Sequence, residues 1–62
     1  MTKAQAIELA KAKWGEERAY AYHETDAHPD RQYEVGTLNS VQYTPRGVGS
    51  SWEDACRKAG LL

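Results

Sequence analysis

The sequence has little of what identifies several common classes of small protein. It contains one cysteine, Cys56, which excludes an intramolecular disulfide and a zinc site built from paired cysteines. No apolar stretch approaches the roughly 18 residues of a membrane-spanning helix. The first residues form no long apolar run of the kind found in secretory signals. These absences lead us to expect a protein of the reducing cytoplasm with no membrane span.

The chain also lacks an excess of charge of either sign. Eight Lys and Arg side chains against nine Asp and Glu leave a formal net charge of −1, without the overall basic character of many nucleic-acid-binding domains. With 40% hydrophobic and 27% charged residues, the composition is typical of a folded domain rather than a disordered segment. Because there are only 62 residues and no internal repeats, we expect one domain (residues 1–62) with a small core.

A first helix is predicted over residues 2–13. Thr2 is followed three residues later by Gln5, which is the spacing of a capping box, and Gly15 provides a stop. At about 100° per residue, one face of this helix is apolar. That face consists of Ile7, Ala10 and Trp14, with Ala6 at its edge and Leu9 outside it.

A second helix is predicted near the end of the sequence. Ser51 with Asp54, or Ser50 with Glu53, has the spacing of a capping box, and Gly60 favours a left-handed helix end. Acidic residues occupy the first turn and basic residues the last, which is the order that the helix dipole favours. Apolar residues recur at positions i, i+3, i+4 and i+7 of this helix, namely Trp52, Ala55, Cys56 and Ala59.

Three segments between the helices alternate with a period of two and are predicted to be strands: residues 18–23, 32–37 and 41–44. In the first, Tyr20 and Tyr22 share one side and alanines the other, and either side can face the core. In the third, Tyr43 shares a face with Val41 and is expected in the core.

The second strand and the turns around the third strand lead to four further predictions. Tyr33, which shares a face with Val35, is also expected in the core. Gly36 predicts a bulge or a close approach of two backbones. Asn39 is the residue best suited to a positive φ in the tight turn between the second and third strands, and residues 45–49 are expected to lead out of the sheet.

The order of these elements gives the fold class. Helix, strand, strand, strand, helix is an α+β arrangement, αβββα. Both apolar helix stripes are buried most simply when the two helices pack on one face of a three-stranded antiparallel sheet. In that arrangement Trp14 and Trp52 are expected to be the two bulky residues of the core.

This arrangement resembles the double-stranded RNA-binding domain. The resemblance is carried by the Gly-Val-Gly-Ser-Ser sequence at residues 47–51, by Ala55 and Ala59, and by His28 with Pro29 between the first two strands. It implies the same fold and, as one possible activity, binding to RNA. The lysine cluster with which that family contacts phosphates is replaced here by Trp-Glu-Asp at residues 52–54. In size and general style the chain also resembles the small accessory proteins of bacteriophages, including inhibitors of host defence.

Catalytic and metal-binding chemistry have weak support in the sequence. His23, Glu24, Asp26, His28 and Asp30 include metal-ligand types, but their spacing matches no ordered motif, so a solvated loop is the preferred interpretation. Cys56 lies on an apolar helix stripe, where cysteines behave as small hydrophobic residues rather than nucleophiles. We therefore expect no enzyme activity, no metal and no cofactor.

The leading hypothesis is a small module that binds a larger protein. Six acidic and two basic residues within residues 16–34 give this segment a local charge of −4, which suits a basic partner. An aromatic platform on the open face of the sheet could add contact area beside it. Its candidates are Tyr20, Tyr22, Tyr33 and Tyr43, although the core is preferred for Tyr33 and Tyr43. The residues expected at the contact are Tyr20, Tyr22, Glu24, Asp26, His28 and Asp30.

Two further hypotheses remain open. The first is binding to RNA or DNA through basic residues, if the fold gathers them on one side: Lys3, Lys11, Lys13, Arg46, Arg57 and Lys58. The second is weak self-association through an apolar patch formed by Leu9, Leu61 and Leu62.

Overall fold

The chain folds in the order helix, strand, strand, strand, helix. A computed structural model describes all 62 residues, Met1–Leu62. The elements are α1 Lys3–Trp14, β1 Ala19–His23, a 3-10 turn Pro29–Arg31, β2 Tyr33–Leu38, β3 Tyr43–Gly49 and α2 Trp52–Lys58. The strands form an antiparallel sheet in the order β1-β2-β3, and both helices pack on one of its faces. The predicted α+β class and αβββα order are confirmed. None of the helices has the length and apolar character needed to cross a membrane.

Local signals set the ends of α1. Thr2 Oγ1 accepts a hydrogen bond from the Gln5 backbone N–H (3.2 Å), and Gln5 Oε1 accepts one from the Thr2 N–H (2.8 Å), which completes the predicted capping box. The face against the sheet is centred on Ala6 and Ala10, both fully buried. Leu9 packs against the core, so its predicted place outside the apolar face is wrong.

Both ends of α2 also follow local rules. Ser51 Oγ accepts from the Asp54 N–H (3.0 Å), while Asp54 Oδ2 accepts from the Ser50 N–H (3.0 Å) rather than from Ser51. The Ser50 N–H and the nearby Lys58 ammonium hold the pKa of Asp54 below its usual value. At the other end, Gly60 adopts φ 77° and the Leu61 N–H donates to the Cys56 carbonyl (2.8 Å), which closes the helix.

Loss of the Ser51 hydroxyl should weaken this cap. We expect Ser51→Ala to lower the free energy of unfolding by about 1 kcal/mol, because the Asp54 N–H at the helix start loses its acceptor. Ser50→Ala is the matched control, since it keeps the backbone N–H that donates to Asp54 and removes only a long 3.4 Å hydrogen bond from the Ser50 hydroxyl to the same carboxylate. Urea denaturation of both variants measures the difference, and equal losses would contradict a capping role for Ser51.

The third strand is longer and later than predicted, since β3 covers Tyr43–Gly49 instead of residues 41–44. Gly47 and Gly49 are part of this strand, and α2 lies directly on their backbone. A Cβ on Gly47 would collide with the carbonyl oxygen of Ala55, and a Cβ on Gly49 would collide with the carboxylate of Asp54. The two glycines therefore reflect close packing between helix and strand, not a loop out of the sheet.

The turn before β3 also differs from prediction. No residue other than glycine has a positive φ, so Asn39 does not adopt the left-handed conformation expected of it. Its side chain stabilises the turn instead, because Oδ1 accepts from the N–H groups of Val41 (3.0 Å) and Gln42 (2.9 Å). Val41 is 89% exposed and lies outside the strand.

A bulge interrupts the pairing of β2 with β3. Val35 pairs with Gly47 but Gly36 pairs with Pro45, so Arg46 is the extra residue on β3. The prediction at Gly36 is confirmed, because a Cβ there would collide with the Thr44 carbonyl. The bulge turns the Arg46 side chain to the helix side of the sheet, where its Nε donates to Thr37 Oγ1 (3.1 Å).

Small side chains form the centre of the core. Its fully buried members are Ala6, Val35, Ala55 and Cys56. Trp14 and Trp52 are only partly buried and border this cluster, so the prediction that they fill the core is wrong. The alanines and glycines bring the helices so close to the sheet that an indole cannot fit between them.

Candidate functional site

The register of the sheet decides which way the tyrosines of β1 face. Tyr20 is opposite Gly36, and Tyr22 is opposite Glu34. Ala21, between the two tyrosines, packs against the core. Successive side chains of a strand point to opposite faces, so both tyrosines lie on the face away from the helices. This settles a choice that the sequence left open.

Tyr20 forms the floor of this open face. Its ring lies across Gly36, where any side chain would collide with it, and packs edge to face against Tyr43 with ring centres 5.0 Å apart. Its hydroxyl donates a 2.6 Å hydrogen bond to Glu34 Oε2. Burial, together with the Glu34 carboxylate, raises the pKa of Tyr20 far above its usual value. The hydroxyl is therefore a neutral donor that fixes the carboxylate in place.

Tyr22 makes a second pair of the same kind nearer to solvent. Its ring is 50% exposed, and its hydroxyl donates to Glu24 Oε2 at 3.3 Å. The other carboxylate oxygen of Glu24 accepts from the Asp26 N–H (3.1 Å). The negative charge of Glu24, followed by those of Asp26 and Glu34, raises the pKa of Tyr22. Three carboxylates thus act on one exposed tyrosine.

These residues border a shallow groove of about 450 Å³, lined by Tyr20, Ala21, Tyr22, Glu34 and Tyr43. We call the surface formed by Tyr20, Tyr22, Tyr43, Glu24 and Glu34 the tyrosine–carboxylate face. Tyr43 is 66% exposed, so its predicted place in the core is wrong. From the sequence, the core is preferred to the aromatic platform for Tyr43, and Glu34 is not singled out as a contact residue. The available signal for Glu34 is its alternation with Val35, which is in the core, and with Tyr33, which is only partly buried against it.

Two of the predicted contact residues lie apart from this face. His28 and Asp30 belong to the 3-10 turn, where His28 Nδ1 accepts from the Asp30 N–H (3.2 Å). This turn contacts β3, at the other edge of the sheet from β1. The structure therefore gathers Tyr20, Tyr22, Glu24 and Asp26 but places His28 and Asp30 in a separate polar turn.

The basic residues of the nucleic-acid hypothesis are dispersed. Arg57 forms an ion pair with Glu53 (2.9 Å), and Lys58 forms one with Asp54 (3.2 Å). Lys3 and Lys13 lie at opposite ends of α1, about 15 Å apart along its axis. Lys11 is also on α1 but does not line the cleft that Lys13 shares with Arg46 on the helix side.

The only thiol lies in the core. Cys56 is fully buried, and desolvation raises the pKa of its thiol, which favours the unreactive protonated form. No group of three His, Cys, Asp or Glu side chains is arranged to hold a metal ion.

The largest surface depression, about 690 Å³, lies away from these groups on α1. It is lined by Met1, Ala4, Gln5, Glu8 and Leu9. Leu61 does not join Leu9 in it but packs against the core, while Leu62 is 59% exposed. Because Leu9 also packs against the core, self-association through a patch of the three leucines stays a prediction.

The glycines that carry the resemblance to the double-stranded RNA-binding domain have a structural role in this chain. Gly47 and Gly49 lie in β3 beneath α2, and the positions of that family's lysine cluster are occupied by Trp52, Glu53 and Asp54. Comparison with protein-family models, curated proteins and solved structures finds no match to this chain.

Proposed function

We propose that this chain is a non-enzymatic module that binds a cationic segment of a larger protein on its tyrosine–carboxylate face. The observation that carries the proposal is the pairing of two carboxylates with tyrosine hydroxyls. Glu34 is held by a 2.6 Å bond from Tyr20, and Glu24 by a longer 3.3 Å bond from Tyr22 together with the Asp26 N–H, beside the exposed rings of Tyr22 and Tyr43.

This arrangement suits a Lys or Arg side chain. A cation above a tyrosine ring gains about 0.5–2 kcal/mol, depending on how far it is desolvated. A carboxylate at the edge of the same ring adds an ion pair, which at an exposed site contributes about 0.2–1 kcal/mol. The hydroxyl hydrogen bonds hold both carboxylates before the partner arrives, so less side-chain entropy is lost on binding.

The surrounding charge favours the same class of partner. Residues 16–34 contain six acids and two bases, a local charge of −4 in a chain whose total is −1. Such a field attracts a basic surface over a distance and raises the association rate, an effect that salt weakens. RNA and DNA fit this face poorly because their phosphates would meet these carboxylates.

Affinity capture from the native lysate, with and without nuclease, tests the proposal. We expect the wild-type chain to retain a protein partner after nuclease treatment. The double variant Tyr22→Ser with Glu24→Gln should retain at least about tenfold less, since it removes an exposed ring and a fixed charge. Reversal of charge at Asp26 should weaken capture most at low salt.

Two controls make the result specific. Glu8→Gln removes the same charge as Glu24→Gln from an exposed position of α1, outside residues 16–34 and on the helix side of the sheet, and it should leave capture nearly unchanged. Cross-linking from position 22 of this chain should identify a Lys- or Arg-rich segment of the partner. Equal capture by the wild type and the double variant, or an acidic cross-linked segment, would contradict the proposal.

A further inference from the structure

A second charged surface lies on the helix side of the sheet, opposite the tyrosine–carboxylate face. It is a cleft of about 450 Å³ between the end of α1, the bulge of β3 and the end of α2. Its lining residues are Lys13, Trp14, Arg18, Thr37, Arg46 and Ala59. Three of them are cationic and none carries a carboxylate. We call this surface the basic cleft.

The β-bulge places Arg46 in the basic cleft. As the extra residue of β3, Arg46 departs from the alternation of its strand, and its Nε donates to Thr37 Oγ1 at 3.1 Å. This bond orients the guanidinium and leaves its two terminal nitrogens free for another acceptor. Arg46 takes part in none of the ion pairs of the protein. A bulge commonly re-aims one side chain in this way.

The other two cations come from different parts of the chain. Lys13 Nζ donates to the Gly60 carbonyl (2.9 Å) just beyond α2, which positions the ammonium and leaves two of its N–H groups. Arg18 precedes β1, and its carbonyl accepts from the Leu38 N–H (2.7 Å), which fixes its backbone against the end of β2. Neither Lys13 nor Arg18 forms an ion pair.

We propose that the basic cleft binds the phosphate group of a small phosphorylated molecule. Three cations around one cavity match a dianion, and the fork of a guanidinium fits two phosphate oxygens at once. The cleft is larger than a phosphate ion, so part of the attached molecule would lie beside the Trp14 indole. This site is independent of the proposed protein contact, which uses the other face of the sheet.

An NMR titration of the ¹⁵N-labelled chain with inorganic phosphate, at ionic strength held constant with chloride, tests this site. Saturable shifts are expected at the Arg46 Nε–H and at the backbone amides of Lys13, Arg18 and Thr37. Arg46→Gln and Arg18→Gln should each weaken binding about tenfold or more. Arg31→Gln, which removes the same charge from the exposed 3-10 turn, should leave it unchanged. Circular dichroism confirms that each variant is folded.

Two further probes distinguish the source of the phosphate. Ribose 5-phosphate should bind at the same residues at least as tightly as inorganic phosphate, because its sugar adds contacts beside Trp14. Binding of a short RNA duplex without any response to inorganic phosphate would overturn the proposal in favour of a nucleic-acid backbone. Equal weakening by Arg46→Gln and Arg31→Gln would also overturn it, because it would show a general effect of charge.

Discussion

Replacement of Gly47 with alanine is expected to lower the free energy of unfolding by about 3 kcal/mol or more. The added methyl group would overlap the carbonyl oxygen of Ala55 and lie 2.7 Å from the Cβ of Ala59. Both neighbours belong to α2 or its C-terminal cap, so only a shift of the helix away from β3 can relieve the overlap. A 62-residue domain has a total stability of about 3–9 kcal/mol, so this loss would remove about a third of it or more.

The same methyl group placed elsewhere provides the control. A Cβ on Gly15 would meet no atom within 4 Å, so Gly15→Ala adds only the backbone strain of a side chain at φ 107°. At φ 107° and ψ 142° the backbone is in a region that residues other than glycine rarely adopt, and this strain costs about 1–3 kcal/mol, no more than the loss expected at Gly47. Urea denaturation of the two variants compares an obstructed methyl group with a strained but unobstructed one. A Gly47→Ala loss smaller than that of Gly15→Ala would show that α2 does not lie on the strand backbone.

The helix ends could be predicted because their signals are local. A capping box needs only residues three positions apart, and the predicted side-chain caps form at both Thr2 and Ser51. The same holds for Gly60, whose positive φ ends α2. These interactions depend on chain geometry within one turn, so the sequence contains all the information they require.

The end of the sheet could not be predicted in this way. Gly47 and Gly49 have the appearance of loop residues because glycine weakens an isolated strand. Their real role depends on α2, which packs over them and leaves no room for a side chain. Alternation alone therefore ends the third strand too early and places Tyr43 in the core. A contact between elements distant in sequence decides both points.

The residues of the candidate site also divide into those that the local sequence places together and those that only the sheet register brings together. Alternation along β1 places Tyr20 and Tyr22 together, and their carboxylate neighbour Glu24 is close in sequence. Glu34 and Tyr43 join them only through the register of β1 with β2 and of β2 with β3. His28 and Asp30 are near these residues in sequence, but the 3-10 turn carries them toward β3.

The two proposed sites lie on opposite faces of one thin sheet. Tyrosine hydroxyls donate to the carboxylates of the tyrosine–carboxylate face, whereas in the basic cleft Arg46 donates to Thr37 and Lys13 to the Gly60 carbonyl. The net charge of −1 does not reveal that the acidic and basic surfaces are separate. Because no side chain belongs to both surfaces, variants of one can be tested while the other remains intact.

Alkaline pH is expected to destabilise the chain through Tyr20. Burial and the bond to Glu34 raise its pKa in the folded state far above the usual 10.0, whereas the unfolded chain ionises normally. The stabilising contribution of the neutral hydroxyl is complete below about pH 10. Above it, the free energy of unfolding should fall by about 1.4 kcal/mol per pH unit from this residue alone. The Cys56 thiol, whose pKa is also raised by desolvation, adds to the loss from about pH 9.

Tyr20→Phe separates the contribution of Tyr20 from every other titration. Near neutral pH the variant should be less stable than the wild type by about 1.5–3 kcal/mol, because it loses a hydrogen bond to a charged acceptor. Above pH 10 the two stability curves should converge, since only the wild type loses the neutral Tyr20 hydroxyl, while Cys56 titrates in both. Urea denaturation from about pH 7 to pH 11 measures the difference.

Tyr22→Phe is the control, because the hydroxyl that it removes belongs to an exposed residue. This variant should stay within about 0.5 kcal/mol of the stability of the wild type at neutral pH. A constant difference between wild type and Tyr20→Phe across this range would mean that Tyr20 ionises normally in the fold, and that Glu34 is not fixed by a neutral donor.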